Sequence, residues 1–495
     1  MFKLFRWMFL ALLLTALVWG AVVWRWQQTH RVIESRDIVL YLVVLPLVVV
    51  GGVLALRWAW RRADAAQAAA ATAAASSANA KPAAPAAEPA ERVLVMRLLA
   101  SNAVLPGAET AAAALEMSAE PPPVALDETL CDRDGMGVFT RRCASVDSEA
   151  FALALADELP EADGAFDDAM VRALALVDPC VEPVLQVLRE TSDALAAAHA
   201  QAASNQHPMQ ARARQPMARP PLRVVWALDE RLPERQRQRL TQWAELRVRQ
   251  WAARAGSFEW LLEAVPVGNG ERLLAHAERR LLLAHREKHD EPMLLIAAQS
   301  SLGEELVEAL DTAGRLFTAQ RPSGVMPGEA AAALLLVPPA LEGAPATTIP
   351  WPVEAPLQLH RLSLQRREKS ADESGRIAGK EMAEAIRQAI EAAQRPADKI
   401  TLAVTDTDLQ RSRTSELFEA LQAAAPHLGV VEQCRCIGSM GGAMGIASAP
   451  AVLALAAAHV QQHQEPALAL SNADPFDRLA ALLWPPPTSA DKTAG

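Results

Sequence analysis

Two uncharged apolar runs near the amino terminus constrain this chain most, because runs of that length are buried in lipid or in a very large core. WMFLALLLTALVWGAVVW extends from Trp7 to Trp24, and IVLYLVVLPLVVVGGVLAL from Ile38 to Leu56. At about 1.5 Å per residue, each reaches across a hydrocarbon layer of about 30 Å. Trp7, Trp24, Trp58 and Trp60 stand at the ends of these runs, where interfacial rings belong. A cleaved leader followed by one anchor is the competing reading. It needs a small-x-small cleavage site, whereas Arg25, Trp26 and Gln27 follow the first run. The expectation is therefore a multi-pass anchor over 1–62, with two transmembrane helices at 7–24 and 38–56. Lys3, Arg6, Arg57, Arg61 and Arg62 flank the pair on one side, against Arg25, Arg31 and Arg36 in the connecting loop. This balance places both termini and the bulk of the chain on the cytoplasmic face of a bacterial inner membrane.

Residues 63–90 are low-complexity alanine ending in Pro82, Pro85 and Pro89, which lack the large apolar groups needed for a core and read as a linker. The soluble body divides into an amino-terminal α/β half over 91–290 and a carboxy-terminal half over 291–485, with 486–495 as a disordered tail. A 51% apolar content suffices for large cores, and a net charge of −10 argues against nucleic acid as a partner. The cysteines Cys131, Cys143, Cys180, Cys434 and Cys436 are few, odd in number and unevenly spaced, which suits a reducing compartment better than a disulfide framework. Cys434 and Cys436 form a C-x-C pair on an expected strand without a second pair at zinc spacing.

Buried strands are expected at 93–100, 222–228 and 292–301, the last leading to a helix at Gly303. Helical spacing marks 165–179 and 182–202; 203–221 reads as an exposed basic loop, and the Arg-, Glu- and Trp-rich 233–286 as long helices or connections. Alternating strands and helices then continue to the end, which argues for an α/β body.

Three segments carry a resemblance. FTAQRPSGVMPGEAAAALLLVP at 317–338 brings Gly328 and Glu329 into an apolar run, KITLAVTDTDLQRSRTSELFEAL at 399–421 reads as strand, polar loop and helix, and IGSMGGAMGIASAPAVLALAAAHV at 437–460 is a glycine-rich turn before a small-residue helix. In this order they resemble the thiolase and ketoacyl-synthase superfamily. The resemblance implies a layered αβαβα body. It also implies a nucleophilic cysteine at a strand-to-helix elbow and two histidines, one near the start of the polar loop and one in the glycine turn. Counting back from Glu416, the first histidine falls at Thr405 or Asp406, and the second falls at Ser439. Cys180 is the nearest candidate for the cysteine, but its context is helical.

Acyl condensation needs a thiolate to carry the acyl group and donors to stabilise the oxyanion and enolate. Hydroxyls are poor proton acceptors near neutral pH, and an aspartate repels developing negative charge. The expectation is a non-catalytic shell in which Thr405, Asp406 and Ser439 are degenerate family positions and Ser439 caps the following helix. No cofactor and no metal are expected: G-x-x-x-x-G-K-[ST], H-E-x-x-H and G-x-S-x-G are all missing from the sequence. His459 and His463 have helical metal-ligand spacing, but solvent-facing positions are the expected reading. Arg411 and Arg413 are expected to pair around the start of the helix that carries Glu416.

The two spans, the alanine tether, DETLCDRDGMGVFTRR at 127–142 and the closing ALSNADPFDRLAALLWP together resemble the lipase adaptors of type VI secretion, formerly a domain-of-unknown-function family. That resemblance implies a cytoplasmic chaperone that binds a phospholipase effector and helps load it on the secretion spike. A homodimer is the possible oligomer. The alternative is an acyl-binding or acyl-transferring enzyme of lipid metabolism.

Overall fold

The computed structural model describes residues 94–159, 166–204, 221–256, 258–289, 291–339, 356–373 and 378–486. The expected spans at 7–24 and 38–56, the linker at 63–90, most of the basic loop and the tail beyond 486 lie outside the described residues. Among the described residues no helix is long and apolar enough to cross a membrane.

The chain opens with β1 (Met96–Val104), α1 (Ala111–Met117), the ribbon β2 (Ala125–Cys131) and β3 (Gly137–Thr140), α2 (Ser148–Glu158), α3 (Asp168–Ala175) and α4 (Val177–Ser204). There follow β4 (Pro221–Asp229), α5 (Glu234–Ala255), β5 (Glu259–Val267), α6 (Gly270–Arg286), β6 (Met293–Ser300), α7 (Glu304–Thr312) and β7 (Glu329–Val337). The remainder comprises β8 (Leu357–Leu359), β9 (Ser363–Arg366), α8 (Lys380–Ala393), β10 (Leu402–Thr405), α9 (Arg411–Ala424) and β11 (Cys434–Cys436). The short α10 (Gly438–Gly441), then α11 (Ser448–His463), β12 (Ala467–Ser471) and β13 (Asp477–Trp484), complete it.

An eleven-stranded sheet runs β11-β10-β12-β13-β8-β1-β7-β6-β4-β5, with β9 beside β13. Its two ends repeat one pattern. In β5-β4-β6-β7-β1 the first two pairings are parallel and the last two antiparallel. In β11-β10-β12-β13-β8 the same sequence of pairings recurs. The connecting helices repeat as well: α5 matches α9, and α6 matches α11. The body is thus two copies of one five-strand α/β plan, joined where β1 pairs antiparallel with β8. β6 and β7, which lie beyond residue 290, pair within the first copy.

Three cores define five layers. Alternate residues of β7, Ala330, Ala332, Leu334 and Leu336, face a central core with α1, α6 and α11, while Ala331, Ala333, Leu335 and Val337 face an outer core with α3, α4 and α5. In the second copy Leu479, Ala481 and Leu483 of β13 join the central core, and Ala480 and Leu482 pack on α8 and α9. The period-two alternation within fully apolar strands is what a sheet covered on both faces requires. The layers are helix, sheet, helix, sheet, helix, so the expected αβαβα body is present. α11 is buried from Ser448 to Val460, which explains its small residues: strands of both copies, the two halves of the one sheet, pack on it.

The segment 233–286 contains a strand that the helical reading passed over. β5 lies at the sheet edge, with no partner on its outer side among the described residues. It alternates weakly, includes Pro266, and keeps Glu263 half-buried against Arg223, His276 and Arg280.

Candidate functional site

In an open parallel sheet, the crevice forms at the carboxyl ends of neighbouring strands whose connections run in opposite directions. The duplication supplies two such places, between β4 and β6 and between β10 and β12. The second holds the residues to which the sequence pointed.

Thr405 ends β10 and is fully buried; its Oγ1 lies 2.8 Å from Thr407 Oγ1, which donates to Asn472 Oδ1 at 2.7 Å. Asp406 is buried and accepts four hydrogen bonds, from Ser448 Oγ at the head of α11, from Ser471 Oγ, and from the backbone N–H groups of Asn472 (2.8 Å) and Ala473 (3.2 Å). Such a set satisfies a buried carboxylate internally. Ser471 Oγ also lies 2.7 Å from Glu271 Oε1, on the first turn of α6. Glu271 is buried, and desolvation, reinforced by the nearby charges of Asp406 and Asp474, pushes its carboxyl up to about 8. Sequence reasoning missed this glutamate.

Glycines bring these elements together. A Cβ on Gly438 would lie 2.1 Å from Asp406 O, so the turn after β11 passes directly over the Asp406 backbone. A Cβ on Gly328 would lie 1.8 Å from Gly441 O. Ser439 lies within α10, where its Oγ donates to Cys436 O at 2.7 Å. The expectation that it caps the long helix is corrected: α11 begins nine residues later, after a 3-10 turn at Gly445–Ala447, and receives no side-chain cap.

The turn from β5 into α6 is the counterpart, in the first copy, of the connection from β11 to α11. It contains Gly268, Asn269 and Gly270 and no thiol. Asn269 caps α6 by accepting from Arg272 N, and its Nδ2 donates to Asp477 Oδ2 at 2.9 Å. Gly270 sits against Ile446, Ala449 and Pro450, so the heads of α6 and α11 meet. Cys180 lies in α4 with its Sγ 3.6 Å from Asn102 O, and burial raises its thiol well above the ordinary range. Burial does the same to Cys143. Cys434 is raised, first by its hydrogen bond with Cys436 and then by burial, whereas the same bond lowers Cys436. Cys436 is in register with Thr405 across β10 and β11.

Two further expectations change. His459 is buried, not solvent-facing, at the edge of the buried part of α11, whereas His463 one turn on is exposed as expected; His459 Nε2 lies 3.1 Å from Thr401 Oγ1. No His, Cys, Asp and Glu group that could hold a metal ion occurs among the described residues. Arg413 pairs with Asp372 (2.7 Å), while Glu416 is held by Arg367 (2.6 Å) and the buried Arg478 (2.9 Å). The pairing expected at the helix start is therefore distributed over β9, β13 and their loops. Glu329 at the start of β7 accepts from Arg172 Nη2 (2.6 Å) and Nε (3.0 Å), from Cys143 N (2.6 Å) and from Ser300 Oγ (3.0 Å).

No protein-family model matches the chain, and no curated protein matches it. Among solved structures, the body is similar to the ishigamide ketosynthase/chain length factor, with 16% identity, 79% of this chain and 100% of that chain covered, and a TM-score of 0.49. It is also similar to the ketosynthase from module 6 of the bacillaene synthase of Bacillus subtilis (13% identity, 79% and 71% covered, TM-score 0.48). A third is 3-oxoacyl-(acyl carrier protein) synthase III of Pseudomonas aeruginosa (14% identity, 80% and 100% covered, TM-score 0.37).

Proposed function

We propose that this body is a non-catalytic protein-binding scaffold built on a condensing-enzyme plan, tethered to the inner membrane, that serves as a type VI secretion adaptor for a lipase-type effector. One observation carries the non-catalytic part. Where the resemblance expects an imidazole, Asp406 stands with four donors on its carboxylate, a closed internal network with no capacity left for an incoming acyl group. The β5-to-α6 turn, a strand-to-helix elbow of the kind at which the resemblance expects a cysteine, holds Gly268-Asn269-Gly270, and Asn269 is spent on capping and on Asp477. The adaptor role rests on the sequence resemblance. The outer edge of β5, which has no strand partner among the described residues, supports a homodimer, since such an edge is a template for a second copy.

Affinity capture of the full chain from a cell with an active type VI system tests the adaptor role. Recovery of a phospholipase effector with the spike supports it, and capture of neither removes it. A second reading, acyl transfer through Cys436, is favoured by the lowered thiol and by its place beside Thr405. An acyl-carrier or acyl-thioester substrate that leaves a mass adduct on Cys436 would establish that reading against the scaffold.

A further inference from the structure

Cys434 and Cys436 flank Arg435 on β11, and the period-two geometry of a strand turns both sulfurs to the same face. Both thiols pack on the outer core that also holds Leu417, Leu421 and Leu468. They hydrogen-bond each other, so the sulfurs are already in contact. Their exposure differs: Cys434 is 7% exposed, whereas Cys436 is partly open to solvent. β11 is three residues long and stands at the end of the sheet, paired only with β10 among the described residues. We propose that this pair is a redox-sensitive switch: a peroxide oxidises Cys436, Cys434 closes a disulfide with it, and the turn over Asp406 is released.

The two thiols divide the work that oxidation requires. Attack on a peroxide needs a thiolate within reach of solvent, and Cys436 is both reachable and lowered by its neighbour's hydrogen bond. Its sulfur attacks one oxygen of hydrogen peroxide; the S–O bond forms, the O–O bond breaks, and hydroxide leaves to take up a proton as water. The sulfur is thereby oxidised to a sulfenic acid and the peroxide is reduced. Cys434 then attacks that sulfur: the S–S bond forms, the S–O bond breaks, and the departing hydroxide takes the Cys434 proton as a second water.

The strand resists this product, which makes the bond reversible. Alternate residues of an extended strand have Cα atoms about 6.6 Å apart, near the upper limit of about 6.8 Å for a disulfide, and their Cβ atoms lie well beyond the roughly 3.5–4.5 Å that one needs. Arg435 must therefore leave the extended conformation, and β11 shortens. The pairing of Cys434 with Ala403 and of Cys436 with Thr405 is then lost, together with the bond from Ile437 N to Thr405 O. Ile437 leads directly into Gly438, which lies against Asp406 O, so the turn moves with the strand. Strain of this kind makes a disulfide easy to reduce, so thiols reset the switch.

The test treats the reduced full chain with hydrogen peroxide, blocks the remaining thiols with iodoacetamide and maps the tryptic peptides. Trypsin cuts after Arg435, so the disulfide joins two peptides that separate on reduction. The expected product is that joined pair, in a protein two hydrogens lighter that dithiothreitol restores. Dimedone, which traps sulfenic acid, should mark Cys436 at least about tenfold more in C434S than in the parent chain, because the resolving thiol is gone. Amide exchange over 437–442 should quicken by about tenfold or more on oxidation of the parent and stay unchanged in C434S. The proposal is overturned if Cys436 stays reduced in the folded chain, or if its sulfenic acid accumulates equally in the parent and in C434S. It is overturned as well if Cys436 pairs with Cys131 or with a second chain instead, or if exchange over 437–442 does not change. The joined peptides are read in the parent chain, so the outcome does not depend on whether C434S folds. None of these readouts involves an effector or an acyl group, so failure here leaves the scaffold reading intact.

Discussion

Glu271 and Asp406 approach the same hydroxyl, Ser471 Oγ, from opposite copies of the duplicated plan. One hydroxyl has one proton to give, so both carboxylates cannot accept from it together. The arrangement closes if Ser471 donates to Asp406 and Glu271, held protonated by burial, donates to Ser471.

This relationship gives stability a pH dependence of defined sign. Below its ordinary value of 4.5, Glu271 is protonated in both the folded and unfolded chain; between 4.5 and about 8 only the unfolded chain releases the proton. Its contribution to stability therefore falls as pH rises through that window, by up to about 1.4 kcal/mol per unit, and is constant above it. Glu271→Gln keeps a donor to Ser471 Oγ, through its amide NH2, and removes the titration. Unfolding midpoints measured across the window should show the variant gaining on the parent chain as pH rises, and parallel curves would refute the protonated glutamate.

Gly328→Ala should destabilise the body by on the order of 3 kcal/mol or more, because the added methyl group would overlap Gly441 O and force two backbones apart. Ser301 Oγ bonds both Gly328 N and Gly328 O at 2.7 Å, which leaves little room for the shift. Urea denaturation of the variant, with Gly324→Ala in the exposed loop nearby as a second case of close backbone approach, measures the cost.

Breaking the Arg172–Glu329 pair should cost about 3–5 kcal/mol for either single truncation, since each leaves a buried charge without its partner. Arg172→Met combined with Glu329→Leu should cost clearly less than the sum. A double-mutant cycle on thermal unfolding gives the coupling, and additive single losses would show that the charges do not interact.

Thiol labelling of the native chain should reach Cys131, which is exposed, and Cys436, which is partly exposed and lowered by its neighbour. Cys143, Cys180 and Cys434 should label only after unfolding. Peptide mass mapping with iodoacetamide separates the two classes, and native labelling of Cys180 would contradict its place in the outer core.

The buried strands were legible because continuous apolar runs such as 222–228 and 292–301 have few other uses in a body of this size, and both appear within two residues of their expected ends. Asp406 was legible by its distance from Glu416. Glu271 was not, because its environment is made by Ser471 and Asp406 from 135 or more positions away in the chain, and locally it is one more glutamate in an Arg- and Glu-rich helix. β5 escaped because an edge strand buries only part of each residue and so blurs the alternation. The duplication left no visible repeat in the residues; it is preserved in strand order and in where the helices cross. For His459 a signal did exist: it directly follows the unbroken run Ala449–Ala458 of small and apolar residues, which is buried on all sides, whereas the exposed end of the helix begins only at Gln461.

The central core that both copies share has a consequence for how the chain can be divided. α11 grows out of one copy yet packs on β1 and β7 of the other, and the first turn of α6 reaches Ser471 in the reverse direction. A polypeptide severed between β7 and β8 would yield two fragments, each with half an interior, and foldedness should return only when the two are mixed. Neither copy is a domain in the sense of something that can mature alone, and any ancestral single unit on this plan would have had to exist as an obligate pair.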